Sequence, residues 1–348
     1  MFAASVIKVP AELALGRMLA ARRSSEWIQA DAMVAVNRAA QRGCAGCIVV
    51  GLIVDSQAYC FPAFDAAAGH TDGAAHLRWV QAAHGWHHLP AWRVSDRSPA
   101  SSRPLQAPPG ADPTDVPDMS FRVDHDAGRV LWTVDGHDYT KAWLPAGMVG
   151  CRYSPAQLVA EMDYAGVDVV LLHTDPILCR DADFQRQCVR AFPAWLRSMA
   201  PVDEWRIAAD PDAAAGEITH AIDELGLHAV KFIPPLAYLG SAEAWDDGSY
   251  RPFWEVVAAL DVPVFFTLGS GSVRSMGKQS ESEAVFGYLE ELQVLMRWME
   301  HYPKVDCALT HGFPYRSFVE GGSIQLPPQV WESFRNPRLR LEVCFAVR

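Results

Sequence analysis

The sequence predicts an α/β fold, a (β/α)8 barrel of the TIM type that lacks its last strand. Apolar runs of strand length alternate with stretches of helical hydrophobic period over the C-terminal two thirds of the chain. These runs are apolar on both faces, which is typical of a parallel sheet covered by helices. An eight-stranded barrel needs one run more than the chain offers. The predicted strands are Cys47 to Val54, Val167 to Leu172, Trp205 to Ala208, Ala229 to Ile233, Pro263 to Leu268, Val305 to Thr310 and Leu339 to Phe345.

Helix signals separate the predicted strands. Ser154-Pro155-Ala156-Gln157 is a capping box with proline at the first helical position, and Gly166 ends that helix. Asp210-Pro211 opens the next helix, in which apolar residues follow the i, i+3, i+4, i+7 pattern. A doubly wound open sheet is the alternative fold. It usually carries a glycine-rich phosphate turn after its first strand, whereas this chain has Asp55-Ser56-Gln57 there.

We divide the chain into an N-terminal extension over residues 1–46 and a barrel over residues 47–348 that is incomplete at its C-terminus. The extension is either a docked accessory helix or a non-native segment created by a wrong start site. An insertion at about 60–150 interrupts the barrel after the first strand. It contains two β-prone runs around Asp126-Ala127-Gly128, which predict a β-hairpin.

Composition limits the classes of function. A chain of 348 residues that is 50% hydrophobic can bury a sizeable core. Its net charge of −11 and its lack of a basic cluster argue against nucleic acid or an anionic membrane as a partner. Eight scattered cysteines favour reduced thiols and a cytoplasmic location. The longest apolar run, Cys44 to Val54, is too short to cross a bilayer. We expect a small-molecule substrate, and a homo-oligomer stays open.

Catalytic groups of a (β/α) barrel lie at the carboxyl ends of its strands. The residues just past each apolar run are therefore the candidates for a site. They are Asp55, Gln57 and Tyr59 after the first run, His173 and Asp175 after the second, and Lys231, Thr267 and His311 at later ones. His173 and Asp175 have an alternative role, which is to cap the loop that follows them. A structural alternative for Lys231 is an ion pair with a barrel carboxylate.

Several of these positions lie in motifs that together resemble a known family. The motifs follow one another in a fixed order: Met162-Asp163-Tyr164-Ala165-Gly166-Val167-Asp168, Glu224-Leu225-Gly226, Ala229-Val230-Lys231-Phe232-Ile233-Pro234, Val262-Pro263-Val264-Phe265-Phe266, Tyr302-Pro303 and Leu309-Thr310-His311-Gly312. From about Ile53 onward the chain resembles the amidohydrolase-related family, the branch of the amidohydrolase superfamily that includes aminocarboxymuconate-semialdehyde decarboxylase. The order of the motifs is more specific than any one of them.

The resemblance implies a divalent metal, zinc or manganese, held by an Asp-x-His-x-His segment, a histidine ending the fifth strand and an aspartate ending the eighth. On this sequence the histidine positions fall on Gln57, Tyr59 and Thr267, and the eighth-strand aspartate has no counterpart before Arg348. Neutral donors of this kind cannot hold zinc tightly. We therefore assign no metal ligand and no cofactor. The family's sixth-strand histidine matches His311.

We assign catalytic roles to His311, Lys231 and Tyr59, and substrate-binding roles to Gln57, Thr267 and His173. His311 would act as general acid or base, Lys231 would stabilise negative charge or orient an anionic substrate, and Tyr59 would donate a hydrogen bond.

The resemblance implies a hydrolase, or a decarboxylase, acting on a small carboxylated or cyclic substrate. One alternative is a catalytically inactive or truncated family member, since the metal ligands and the last strand are missing. Another is a non-enzymatic binding protein that uses an aromatic loop from Trp79 to Trp92 as its contact surface.

Overall fold

The computed structural model describes residues 6–8, 52–145, 148–275 and 279–342. Within the described residues its main sheet has eight strands, which lie side by side in the order in which they occur in the chain. The first of these strands is antiparallel to its neighbour, and the other seven run parallel in the order in which the chain visits them. Sequential parallel strands joined by helices form a curled half-barrel. The predicted α/β fold class of the barrel type is confirmed.

The strands of the main sheet are β1 (Val6–Lys8), β2 (Ile53–Ala58), β8 (Val169–Leu172), β9 (Leu196–Ala200), β10 (Ala229–Phe232), β11 (Val264–Phe266), β12 (Cys307–Leu309) and β15 (Leu339–Leu341). The helices are α1 (Gly73–Trp86), α2 (Pro155–Ala165), α3 (Ala182–Ala191), α4 (Glu204–Ile207), α5 (Pro211–Thr219), α6 (Pro234–Ala237), α7 (Arg251–Leu260), α8 (Glu281–His301) and α9 (Pro328–Phe334). A π-helical turn, His220–Glu224, continues α5.

Between β2 and α2 the chain forms a separate five-stranded antiparallel sheet. Its strands are β3 (Ala91–Arg93), β4 (Pro99–Ala100), β5 (Arg122–Asp124), β6 (Arg129–Val134) and β7 (His137–Lys141). The predicted hairpin is present as β5 and β6. A short hairpin outside both sheets comprises β13 (Val319–Glu320) and β14 (Ser323–Ile324). The division of the chain into domains stays a prediction, because most of residues 1–46 lies outside the described part.

Two predicted strands were misplaced. The third strand is Leu196–Ala200, and the apolar stretch from Trp205 to Ala208 lies in the short helix α4 and its end. The true strand was missed because Arg197 and Ser198 interrupt it, although both are buried. Arg197 donates through Nη1 to the carbonyl oxygen of Pro193 at 2.6 Å, and Ser198 donates to Gln185 Oε1 at 2.8 Å. In the described residues the first barrel strand is Ile53–Ala58, and it includes Asp55 to Gln57, which the sequence had placed after it. The earlier part of the predicted strand, residues 47–51, lies outside the described residues.

The aromatic segment proposed as a loop is mostly helix. Residues Gly73–Trp86 form α1, and Asp72 caps its N-terminus by accepting from the backbone N–H of Ala75 at 2.7 Å. Trp79 stacks on Trp205, with ring centroids 5.6 Å apart. This tryptophan therefore helps to attach α1 to the barrel, which weakens the idea of a free aromatic contact surface.

The core lies on both sides of the sheet. Bulky aromatic residues pack between the strands and the outer helices, and they are fully buried: Phe232, Trp245, Trp254, Phe266 and Trp298. A smaller cluster fills the concave side with one residue from each of five strands: Leu171, Met199, Ala229, Phe265 and Ala308. In the described residues, no helix is long and apolar enough to cross a membrane.

The predicted capping box is present at the start of α2. The Ser154 side chain accepts from the backbone N–H of Gln157, whose side chain accepts from the backbone N–H of Ser154 at 3.0 Å. We expect Ser154→Ala to lower the free energy of unfolding by about 1 kcal/mol. Urea denaturation measures the change. Ser249→Ala, in an exposed turn, is a control that should lower the free energy of unfolding by less. An equal decrease in the two variants would contradict the capping role.

Candidate functional site

Polar side chains form a layer at the carboxyl ends of the barrel strands. Side chains alternate between the two faces of a strand, so the residues two positions beyond the concave apolar cluster point to the same side. In this way His173 follows Leu171, and Lys231 follows Ala229. The polar layer consists of Ser56, His173, Lys231, Thr267, Thr310 and Glu342.

Lys231 lies at the centre of the polar layer and is 2% exposed. Its Nζ donates to Thr310 Oγ1 at 2.8 Å and lies 3.2 Å from Nδ1 of His173. An ammonium group has no acceptor, so Nδ1 accepts and Nε2 of His173 carries the ring proton. Burial, together with the charge of Lys231, lowers the pKa of His173 and keeps this ring neutral.

Glu342, directly after β15, places a carboxylate in the same layer. No carboxylate was predicted at the end of this strand, because the predicted strand ran from Leu339 to Phe345 and so included Glu342. Its Oε1 lies 3.4 Å from Nε2 of His173, which also donates to the carbonyl oxygen of Ser56 at 2.7 Å. Burial raises the pKa of Glu342, but His173, Lys231 and the Ser56 hydroxyl outweigh it, so that the net pKa is lowered. Glu342 is therefore ionised.

His311 is exposed at the open end of the barrel. Its Nδ1 lies 2.9 Å from Nε2 of Gln57. The Gln57 amide can donate to this ring nitrogen or, turned over, accept a proton from it. Partial loss of hydration, followed by the positive charge of Lys231, lowers the pKa of His311 to about 4. The imidazole is therefore neutral near pH 7 and can accept a proton.

The backbone after β12 turns sharply where it carries His311. His311 and Gly312 both have left-handed backbone angles, with φ of 65° and 68°. A Cβ on Gly312 would lie 2.7 Å from the carbonyl oxygen of Glu342. A glycine is therefore required for the chain to pass so close to the end of β15.

The other predicted residues occupy different surroundings. Tyr59 packs against His173, with ring centroids 5.8 Å apart. Thr267 lies in the polar layer, and its buried Oγ1 has no hydrogen-bond partner within the described residues. Asp175 caps the following loop, since its Oδ1 accepts from the backbone N–H groups of Ile177 and Leu178 at 2.8 and 2.7 Å. The alternative role named for Asp175 is the one that the structure shows.

The residues present do not fit the metal that the resemblance implies. The positions of its histidine ligands hold Gln57, Tyr59 and Thr267, and the nearby carboxylate of Glu342 is paired with His173. Zinc and manganese sites in proteins rely on histidine nitrogen, thiolate or carboxylate oxygen. Across residues 52–145, 148–275 and 279–342, no group of three such side chains is arranged to hold a metal ion. We derive no step through a metal.

A small cavity adjoins the polar layer on the side of β9, with room for about one water molecule. Its walls include Thr174, Arg180, Glu204, Trp205 and Lys231. Glu204 is 2% exposed, and its Oε1 accepts from the backbone N–H of Ile233 at 2.7 Å. Burial raises the pKa of Glu204 to about 7, even though Arg180 and Lys231 act in the opposite direction.

Glu204 and Glu342 are not among the site residues predicted from the sequence. Glu204 follows the true third strand, so the misplaced strand hid its position at a carboxyl end. Along the last strand, the apolar residues Leu339 and Leu341 alternate with Arg340 and Glu342. This alternation places Glu342 on the face opposite to the leucines and could have indicated it as an inward side chain.

Comparison with known proteins gives three results. No protein-family model matches the chain, and no curated protein matches it. Solved structures do match, and the three described below are each less than 20% identical to this chain. One is dihydroxybenzoic acid decarboxylase from Polaromonas, determined with bound manganese and 2-nitroresorcinol, at 19% identity, a TM-score of 0.38 and coverage of 53% of this chain and 66% of that one.

Two further solved structures are similar to the same extent. One is 5-carboxyvanillate decarboxylase from Sphingomonas paucimobilis, at 19% identity and a TM-score of 0.38, covering 57% of this chain and 68% of that one. The other is a protein from Staphylococcus aureus described as an amidohydrolase, at 18% identity and a TM-score of 0.34, covering 47% and 60%. These matches concern the fold alone.

Proposed function

We propose that the chain is an enzyme that hydrolyses a small carboxylated or cyclic substrate at the carboxyl ends of its barrel strands. One observation carries the proposal: Lys231 is buried in the polar layer, and His311, which is neutral near pH 7, is open to solvent at the same end of the barrel. Burying a charge is costly unless it is paired, and Lys231 is held by Thr310 and His173. Such an arrangement suits the stabilisation of negative charge that develops on a substrate.

The groups divide the work of hydrolysis between them. His311 is neutral near pH 7, so it can take a proton from the attacking water. When the Gln57 amide is turned so that its oxygen accepts the proton on Nδ1 of His311, Nε2 of the same ring is left unprotonated. Lys231 would stabilise the oxyanion that forms on the substrate carbonyl. Tyr59 and Thr267 would donate hydrogen bonds to the substrate.

Decarboxylation is the second candidate reaction, and Glu204 is the observation in its favour. A carboxyl group with a pKa of about 7 holds a proton near neutral pH, and Glu204 shares its cavity with Lys231. Protonation of the carbon that loses carbon dioxide needs such an acid. Product analysis separates the reactions, since hydrolysis opens an ester or lactone and decarboxylation releases carbon dioxide.

The test is an assay of the purified full chain against lactones and aromatic carboxylic acids, with and without added zinc or manganese. We expect His311→Asn to lower kcat by about 10²- to 10⁴-fold, because a general base contributes an effect of that size. His220→Asn is the matched control, since His220 lies on the surface in an ion pair with Glu224. An unchanged kcat in His311→Asn would contradict the assigned role.

The absence of turnover under every condition would instead favour an inactive relative or a ligand-binding protein. Tryptophan fluorescence then separates these two alternatives. Quenching by a small acid without turnover indicates a binding protein, and no response indicates an inactive chain.

A further inference from the structure

His76, in helix α1, connects the two loops that follow strands β2 and β8. Its Nδ1 lies 2.8 Å from the carbonyl oxygen of Ala66, in the loop after β2. Its Nε2 lies 2.8 Å from the carbonyl oxygen of Ile177, in the loop after β8. The ring is fully buried. We call this pair of contacts the His76 bridge. The two loops begin at Tyr59 and His173, which are candidate site residues.

Both partners of the His76 ring can only accept a hydrogen bond, because a carbonyl oxygen carries no proton. A neutral imidazole has one N–H group and one bare nitrogen, whereas a protonated imidazole has two N–H groups. Only a protonated His76 can therefore donate to both Ala66 and Ile177. In the neutral ring, one nitrogen lone pair faces a carbonyl oxygen, and half of the bridge is lost. Turning the ring over would place carbon atoms against both oxygens, so the contacts also fix its orientation.

The neighbouring ring of His70 adds no positive charge beside His76 near pH 7. The two rings are stacked, with centroids 5.3 Å apart and 14° between their planes. Nε2 of His70 lies 2.8 Å from the carbonyl oxygen of Pro176. Burial lowers the pKa of His70 to about 4, although the hydrogen bond to Pro176 acts in the opposite direction. His70 is therefore neutral and donates its single ring proton to Pro176.

The charged groups in the two loops and at the start of α1 have partners of their own. Asp65 pairs with His125, Asp72 accepts from Ala75, Asp175 accepts from Ile177 and Leu178, Asp181 accepts from Phe184, and Arg180 pairs with Asp203. Within the part of the chain that the structure describes, no carboxylate bonds to the His76 ring. A buried charge is costly unless it is hydrogen-bonded, and the two carbonyl oxygens provide those hydrogen bonds to a protonated His76.

We propose that the His76 bridge is a pH-sensitive switch, in which proton uptake by His76 holds the two loops together and proton loss releases one of them. The bridge uses no residue to which a catalytic role is assigned, so it is independent of the proposed function. A proton bound through contacts of the folded chain stabilises those contacts as the pH falls, and this stabilisation is lost as the pH rises. The closed bridge fixes the spacing of the two loops at the carboxyl ends of β2 and β8.

Hydrogen–deuterium exchange of the full chain tests the switch at about pH 8 and about pH 5.5, which bracket the titration of an ordinary histidine. The backbone N–H of Arg180 donates to the carbonyl oxygen of Ala68 at 2.9 Å, so it reports on the contact between the loops. After correction for the intrinsic effect of pH on exchange, we expect the protection of residues 174–181 to be about tenfold higher at the lower pH. An effect of this size corresponds to one hydrogen bond from a charged group.

Two variants assign the effect to His76. His76→Gln keeps a neutral donor in place of Nε2, so it should abolish the rise in protection. His70→Gln is the matched control, because it removes the stacked ring that bonds to a single carbonyl oxygen, and it should keep the rise. Burial raises the pKa of Asp175, but this residue is retained in both variants and cannot cause a difference between them.

Three results would overturn the proposal: equal protection of the parent chain at both pH values, an undiminished rise in His76→Gln, or the same loss of the rise in His70→Gln. The first needs no variant, so it applies even where His76→Gln does not fold. Nitrogen-15 NMR of the histidine rings gives an independent measurement. Both ring nitrogens of His76 should carry a proton at the lower pH, and a bare nitrogen there would contradict the switch.

Discussion

Replacing Lys231 by methionine is expected to lower the free energy of unfolding by about 3 kcal/mol or more and, if the proposed function holds, to reduce turnover by about 10²- to 10³-fold. The stability loss arises because Glu342 then remains buried without its neighbouring cation. Removing one of two neighbouring buried opposite charges costs more than removing both, because the remaining charge loses its compensation.

The loss should depend on pH. Lys231 lowers the pKa of His173, so His173 binds a proton more readily once the lysine is gone. A protonated His173 compensates Glu342, at a distance of 3.4 Å. We therefore expect Lys231→Met to be more destabilising at pH 8 than at pH 6, as measured by urea denaturation at both values.

The double variant Lys231→Met with Glu342→Gln provides the decisive comparison. It removes both charges, so it should regain a large part of the stability lost in the single variant. Lys304→Met is the matched control, because Lys304 is exposed on the surface. A double variant as unstable as the sum of the two single variants would show that the charges do not interact.

Glu204→Gln is expected to stabilise the protein at pH 8 by about 1 to 3 kcal/mol and to leave its stability at pH 5 nearly unchanged. The pKa of Glu204 rises from the ordinary 4.5 to about 7 in the fold, and a shift of this size corresponds to about 3 kcal/mol. Glutamine cannot ionise, yet its oxygen can still accept from Ile233.

The direction in which stability changes with pH follows from proton binding by Glu204. Between about pH 4.5 and 7 the folded chain holds a proton on Glu204 that the unfolded chain has lost. The stabilisation present below pH 4.5 is therefore lost as the pH rises through about 7. Urea denaturation over this range should show a steeper fall for the parent chain than for Glu204→Gln. Glu224→Gln, at an exposed ion pair, should follow the parent; a pH dependence unchanged by Glu204→Gln would contradict the raised pKa.

The barrel class could be predicted because buried parallel strands leave continuous apolar runs in the sequence, such as Val169–Leu172. The third strand could not be found in this way. Arg197 and Ser198 satisfy their polar groups through a carbonyl oxygen and a distant glutamine, and such long-range partners leave no local signal. Three of the four residues from Trp205 to Ala208 are apolar, since Trp205 lines the cavity and Ile207 is buried in the core. This composition resembles that of a strand.

Part of the candidate site could be predicted, because some of its residues are indicated by their position at strand ends. Lys231, Thr267 and His311 stand directly at strand ends, where position alone indicates them. His173 and Glu342 act together through a contact across the barrel, which a linear pattern cannot show. The raised pKa of Glu204 depends on its burial, and that burial depends on the placement of β9 and α4.

The polar layer also restricts how the strands can be aligned with one another. A slip of one residue in β10 would turn Lys231 outward among the aromatic side chains Phe253 and Trp254 and would bring Phe232 inward beside Glu342. The same exchange would occur for His173 and Leu172 in β8. A misaligned barrel would then contain uncompensated polar or charged groups in apolar surroundings. Lys231 and His173 therefore also favour the correct strand alignment during folding.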